Sequence, residues 1–369
     1  MNEKICSHHV GGRSGTRAFP VLMRFESDFV NVLYDADPEC AVQMETLLKD
    51  SASETKVLPY CLGGKRGNAV FNINYDPYTS SLLSLNPKKR EWYFYFRKHQ
   101  HDYILGETFK TIERQKMPVT TLDFVIRDQS IQPPDILSID VQGTEWDVLR
   151  GAKRTLDRHT VAVIAEVEFH QLYKGQKLFG DVSALLQNQG FQFVKFKKYF
   201  TEFSPYRYPI GLRGEGFQGS SDALFFKDIA SVKKEKNLKK RTLMFQKLAF
   251  IAIVFNQFEF ALQCLKEISS ELRNEPNELN YQALTRMFAQ ETARVPKVFP
   301  PTFKEEYTFA QSRERFNQEA TLEEGKERVV SASSMKRASD SKIEKLFRKY
   351  DLSSQADLIK KMRLQQEKA

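Results

Sequence analysis

Short apolar runs alternate with segments of helical period as far as Lys227, the pattern of a sheet interleaved with helices. Runs at 5–10, 30–34, 56–62, 136–139, 161–169, 191–199 and 221–227 read as strands, the last two as partners. The run at 136–139 shows no alternation and lies between Pro133-Pro134 and Gly143, as a strand buried on both faces does. A helix is expected from about Glu145. Thr144 and Asp147 stand at capping-box spacing there, and Val148, Leu149, Ala152 and Leu156 give the helix one apolar stripe. Residues 40–48 and 179–190 also carry helical period, the second ended by Gly190. The pattern predicts an α/β protein with a doubly wound, mostly parallel sheet.

Other stretches depart from that alternation. Residues 70–75 read as one strand of a small hairpin, and about 86–116 as an insertion in which Trp92-Tyr93-Phe94-Tyr95-Phe96 lies among lysines and arginines. Aromatics among cations can stack on nucleobases or sugars; the reading preferred here packs the insertion on its own domain or on a second subunit. Beyond a basic stretch at 233–241, residues 243–269 read as a helical hairpin like one tetratricopeptide-type unit, expected to pack on the sheet domain or a twin chain. From Pro300 onward charges of both signs dominate, with an amphipathic helix expected at 343–362. The domains expected are therefore 1–228, 229–298 and 299–369.

Chemistry gathers where strands end. Asp140 stands at the carboxyl end of the 136–139 strand, where open parallel sheets meet their ligands; capping a turn is the alternative role. Gly11, Gly12 and Gly15 follow the first strand, in a turn that lets backbone approach a ligand closely. Asp37, with Asp35 as alternate, ends the second strand, where a carboxylate can accept hydrogen bonds from ribose hydroxyls or cap the helix beginning at Pro38. Glu166 and Glu168 alternate with Val167 and share one face of their strand, either to meet a ligand or to hold a backbone turn.

The run Ile139-Asp140-Val141-Gln142-Gly143-Thr144-Glu145, with Val148-Leu149-Arg150-Gly151-Ala152 after it, resembles the signature of FkbM-type S-adenosylmethionine-dependent methyltransferases. The likeness extends over roughly residues 5–227. It implies a class I, Rossmann-like methyltransferase sheet with a final antiparallel strand, and S-adenosyl-L-methionine as cofactor. Gly11, Gly12 and Gly15 fall in the family's first cofactor loop, although His9 replaces its usual Asp, and with Met1 so close upstream the family's usual leading segment is expected to be missing or minimal. Asp37-Pro38 matches the family's Glu-Pro, and Glu166 its acidic residue on the following strand. Thr79-Ser80-Ser81 corresponds to a Ser-rich segment near the mouth of the site. The resemblance thus implies cofactor binding by Gly11, Gly12, Gly15 and Asp37, and catalysis by Asp140 or Glu166. Glu145, with Tyr206 and Arg213 from the 201–219 loop, stands as a candidate contact for a saccharide or other small hydroxyl acceptor; that loop reads equally as a plain connection.

Composition narrows the classes further. With 41% hydrophobic and 28% charged residues the chain reads as an ordinary soluble protein, and its longest apolar run is far below the ~20 residues of a membrane helix. Cys6, Cys40, Cys61 and Cys264 lack paired spacing and suit a reducing cytoplasm. The histidines have no partners at ligand spacing, so no metal is assigned. A net charge of +9 permits acidic partners, but the excess is diffuse and nucleic acid is disfavoured. A methyltransferase of nucleic acid or protein, or a non-catalytic scaffold, are the rival readings. A homo-oligomer through the insertion or the C-terminal helices is compatible with the pattern.

Overall fold

The computed structural model describes residues 4–11, 22, 25, 27–49, 53–95, 102–196, 202–206, 216–268 and 281–294. The expected tail helix at 343–362 lies outside them. The chain forms two compact units, Met1–Asn280 and Tyr281–Ala369. Among the described residues the second contributes one helix, Tyr281–Arg294.

The first unit is built on a seven-stranded sheet of β1 (Ile5–Val10), β2 (Phe29–Tyr34), β3 (Glu54–Leu58), β4 (Ile136–Ile139), β5 (Ala162–Glu168), β6 (Phe191–Phe196) and β7 (Ser220–Lys227). The spatial order is β6-β7-β5-β4-β1-β2-β3. β1 to β5 run parallel, and β7 inserts antiparallel between β5 and β6. The chain first builds outward from β1 through β2 and β3, then returns to the other side of β1 with β4. That reversal opens a crevice at the carboxyl ends of β1 and β4.

Packing explains the strand and helix choices. Every residue of β4 is buried, so its unbroken apolar character is that of a strand covered on both faces. Helix α1 (Pro38–Leu48) follows β2, and α2 (Leu122–Asp128) is capped by Thr121. Helix α3 (Glu145–Gly151) is followed after Ala152 by α4 (Lys153–Arg158). Val148, Leu149, Ala152 and Leu156 are fully buried in one core with Leu137, Ile139 and Val163. At ~25 cal/mol per Å2, each of these Val, Leu and Ile side chains contributes about 1.5–3 kcal/mol of burial, and Ala152 less. Helix α5 (Phe179–Asn188) precedes Gly190, whose φ of +77° ends it as the sequence suggests.

Several segments differ from their sequence reading. The run 56–62 is split: Pro59 has no N–H to continue the ladder, and Cys61–Leu62 leaves the main sheet to pair with Thr111–Thr120. The strand read at 70–75 is Gly67–Asn74, whose antiparallel partner is the same distant Thr111–Thr120. The aromatic stretch supplies Tyr93–Tyr95, which pairs with Asp102–Ile104 and with Glu202–Ser204, itself paired to Phe217–Gln218. Phe94 and Phe203 meet edge to face at 4.8 Å across this small sheet. The aromatics therefore fasten the insertion to the loop before β7.

Helices α6 (Leu238–Val254) and α7 (Phe258–Lys266) form the expected hairpin, turned at Asn256 with φ +60°. Lys247 of α6 places Nζ 2.9 Å from both carboxylate oxygens of buried Asp135, just before β4. Asp135 also accepts the Cys6 N–H at 2.9 Å. The pair ties α6 to the amino edge of the sheet.

A second buried polar contact sits in β1. His8 Nδ1 lies 3.0 Å from the Tyr34 hydroxyl and Nε2 2.9 Å from Gln132 O, so the ring is satisfied as a neutral Nε2–H tautomer. Burial lowers its pKa to about 3. The unfolded chain takes up a proton near pH 6.5 that the native ring refuses, so this contribution to stability is lost as pH falls. Between pH 6.5 and 5, urea unfolding of the wild type is expected to lose about 2 kcal/mol more than that of His8→Asn, which starts weaker but lacks the titration.

Candidate active site

The crevice is shaped by the turn after β4. Asp140 follows β4 directly, its N–H donating to Val10 O at 2.9 Å. Beside it Gly11 leaves β1 with φ +86°, and a Cβ there would stand 1.6 Å from the Asp140 carbonyl oxygen. Only glycine fits, because the two strand ends touch through their backbones. The chain then adopts left-handed conformations at Gln142 (φ +57°) and Gly143 (φ +100°).

Glu145 stabilises that turn from inside. Its Oε1 accepts the N–H groups of Val141 and Gly143, both at 3.0 Å, and the residue is 2% exposed. The capping box expected of Thr144 and Asp147 does not form. Thr144 has φ −110° and ψ 20°, outside the extended range of an N-cap, and its side chain makes no capping bond. The backward-turned Glu145 carboxylate satisfies the turn's N–H groups instead.

Gln142 then links the two expected catalytic residues. Its Nε2 donates to Asp140 Oδ1 at 2.8 Å and to Glu166 Oε2 at 3.1 Å. Ser81 Oγ donates to the Gln142 carbonyl at 2.6 Å. The Tyr173 hydroxyl lies 2.8 Å from Thr79 O and 3.2 Å from Gln142 Oε1. The Thr79–Ser81 segment thus meets the turn after β4. The sequence pattern alone assigns no role to Gln142 or Tyr173. Gln142 lay within the signature, but its left-handed conformation has no composition signal, and Tyr173 arrives from a loop without periodicity.

Asp140, Glu145 and Glu166 offer carboxylate oxygens that all lie within 4.8 Å of one another. Glu168 follows on the same face of β5, 3% exposed, with Oε2 buried and without a hydrogen-bond partner. Among the described residues no lysine or arginine pairs with these four carboxylates. Burial, reinforced by Asp140 and then by Glu168 and Glu145, pushes Glu166 well above the usual carboxylate range. Burial and the Glu145 charge do the same to Glu168, with the Gln176 amide acting the other way. Glu145 rises to about 7, mainly through burial, against the pull of its own backbone contacts. The Tyr173 phenol is likewise pushed up, by burial and then by the same carboxylates.

The opposite flank of the crevice is the end of β2. Asp35 Oδ1 accepts the Asp37 N–H at 2.9 Å, and Asp37 Oδ1 accepts from Glu39 N at 3.0 Å and Cys40 N at 3.4 Å. Asp37 therefore performs the capping role. His9 is buried within β1 at 5% exposure. Gly12, Gly15 and Arg213 lie outside the described residues. Tyr206, two residues beyond the strand Glu202–Ser204, is 68% exposed and makes no bond to the four carboxylates.

The strand order, the antiparallel β7 and the acidic crevice at the β1–β4 reversal define a Rossmann-like α/β protein of the methyltransferase type. The family model described as the Methyltransferase FkbM domain matches residues 9–193, half of the chain, and the protein belongs to that family. Among solved structures, methyltransferase FkbM from Methylobacillus flagellatus KT is similar at 13% identity and a TM-score of 0.34, over 61% of this chain and 44% of that one. The chain thus spans less than half the length of that protein. A precorrin-6y C5,15-methyltransferase from Geobacter metallireducens GS-15 is similar at 7% identity and a TM-score of 0.30, over 61% and 81% of the two chains. MtNAS in complex with MTA and tNA matches at 11% identity and a TM-score of 0.27, over 61% and 54%. No curated protein sequence matches the chain. Among the described residues no helix is long and apolar enough to cross a membrane.

The bracing role of Glu145 is testable by contrast. Glu145→Ala leaves two N–H groups of the turn without their acceptor and is expected to cost about 2–4 kcal/mol in urea unfolding. Glu145→Gln keeps the acceptor oxygen and is expected to stay within about 1 kcal/mol of wild type.

Proposed function

We propose that the protein binds S-adenosyl-L-methionine at the carboxyl ends of β1 and β2 and methylates a hydroxyl of a saccharide or another small metabolite. The observation that carries this reading is the Asp140–Gln142–Glu166 bridge, set at the sheet reversal beside the Gly11 turn. The chain fits the cofactor in its donor chemistry. Gly11 lets the ends of β1 and β4 meet at the floor of the crevice, Asp35 and Asp37 offer carboxylates at the ribose position, and the acid-rich turn favours a nearby cation. When bound, the cofactor supplies an electrophilic methyl carbon on a positively charged sulfur.

The protein's own task is then to align the acceptor oxygen and take its proton. Asp140 and Glu166 are the candidate acceptors of that proton, held at one separation by the Gln142 amide. An ordinary carboxylate is a weak base towards an alcohol. Glu166, raised by burial, is a stronger base once ionised, and general-base assistance contributes typically 10^2–10^4-fold. Tyr206 and Arg213 fit the acceptor side of this reading, through the loop before β7. The basic net charge leaves nucleic acid or protein acceptors as the competing class, separable by salt-dependent retention on RNA.

Calorimetric titration with S-adenosylmethionine and S-adenosylhomocysteine tests the reading. Asp37→Ser retains a capping oxygen but removes the carboxylate, and a tenfold or greater loss of affinity is expected. Asp140→Asn is expected to bind the cofactor nearly as wild type does while methyl transfer falls about 10^2-fold or more. A folded wild type that binds neither compound would remove the methyltransferase reading in favour of a scaffold.

A further inference from the structure

The histidines gave no reason to assign a metal; the carboxylates do. Three of them, from the end of β4, the start of α3 and β5, bring oxygens within 4.8 Å of one another. Oxygens on opposite sides of a six-coordinate ion stand about 4.2 Å apart around Mg2+ and about 4.8 Å around Ca2+, twice the metal–oxygen distance. The three oxygens therefore lie within the span of a Ca2+-sized ion, and a smaller Mg2+ or Mn2+ needs them to draw together by at most about 0.6 Å. Being all oxygen, the donor set suits hard cations and not those that prefer thiolate or imidazole.

A second observation comes from Glu168. It lies two residues beyond Glu166 on the same face of β5. Its Oε2 is buried with no partner at ordinary hydrogen-bond length, the Gln176 amide offsets its charge only in part, and no lysine or arginine among the described residues pairs with it. An ionised carboxylate buried in this way costs several kcal/mol unless positive charge lies close by. The Gln142 amide contributes partial positive charge to Asp140 and Glu166, but it does not reach Glu168.

We infer that this group is a binding site for one hard divalent cation, of the Mg2+, Mn2+ or Ca2+ type, with Asp140, Glu145 and Glu166 as its protein ligands. Glu145 keeps Oε1 on the turn and offers Oε2. A half-turn of the Gln142 amide presents its Oε1 as a further oxygen, while Tyr173 accepts from Nε2 in place of donating. Glu168 then faces a positive centre. In methyl transfer the cation would lower the pKa of a coordinated acceptor hydroxyl, a role that rests on the reading proposed above; binding of the ion does not.

The test is Mn2+ titration of the full chain, by calorimetry and by the loss of the free-ion electron paramagnetic resonance signal, without cofactor. One Mn2+ per chain is expected, displaced by Mg2+ or Ca2+, with affinity at least tenfold weaker in Asp140→Asn and in Glu166→Gln. Both variants, relieved of one half-buried charge in a group of like charges, are expected to melt at or above the wild-type temperature in chelator and to lose the Mn2+-induced rise. Absence of saturable binding, unchanged affinity in both variants, or a lowered melting temperature of both variants in chelator overturns the inference. Mn2+ binding without S-adenosylmethionine binding would keep the cation site and remove the methyl-transfer reading; the reverse result would remove the cation site alone.

Discussion

Four carboxylates at one end of a sheet, with no lysine or arginine paired to them among the described residues, impose a demand that the surrounding chain meets piece by piece. Two N–H groups converge on Glu145, and one amide is divided between Asp140 and Glu166. Both arrangements require the left-handed conformations of Gln142 and Gly143, since an extended chain would point those groups elsewhere. At Gly143 a Cβ would meet the Tyr173 ring at 2.7 Å, so the turn and the aromatic above it are fitted to each other. Tyr173 in turn packs on Phe109, and through the small sheet on the aromatics of the insertion. The insertion is thus part of the wall of the site.

The opposite edge of the sheet is held differently. Asp135 and Cys6 mark the amino ends of β4 and β1, and there α6 docks through the buried Lys247–Asp135 pair and the Phe250–Phe29 contact. A buried pair of this kind contributes little net stability, but leaving either member alone costs about 3–5 kcal/mol, so it fixes the position of α6 more than it strengthens it. The helical hairpin therefore buttresses the end of the sheet remote from the carboxylates. Its removal would act on the site through the stability of β1 and β4, with no loss of a side chain from the crevice itself.

The sheet was legible because burial on both faces leaves long apolar runs, and the stripe Val148, Leu149, Ala152, Leu156 could face only one way. The positions of Asp140 and Glu166 at strand ends followed from the same logic. The hairpin partner of 67–74 was not legible, because pairing across the intervening residues leaves no local turn signal. Nor was the strand Glu202–Ser204, which pairs with Tyr93–Tyr95 and packs Phe203 against Phe94 and Trp92. The capping box at Thr144 failed for an instructive reason: spacing alone cannot foresee that Gln142 and Gly143 turn left-handed and rotate Thr144 out of cap geometry.

How the carboxylates are relieved decides what they can do. Protons can relieve them, and burial favours that route by raising Glu145, Glu166 and Glu168. A protonated Glu166, however, cannot take the acceptor's proton, so relief by protons silences the base that the reading needs. A positive charge relieves the repulsion and keeps the carboxylates ionised, whether it is the sulfonium of a cofactor beside Asp140 or a cation among the oxygens. Each pKa unit by which such a charge brings Glu166 back down represents about 1.4 kcal/mol of interaction, and reciprocally strengthens binding of the charge by the same amount. By that linkage, a positive charge that enters the crevice and a Glu166 that is ionised and able to act as a base favour each other.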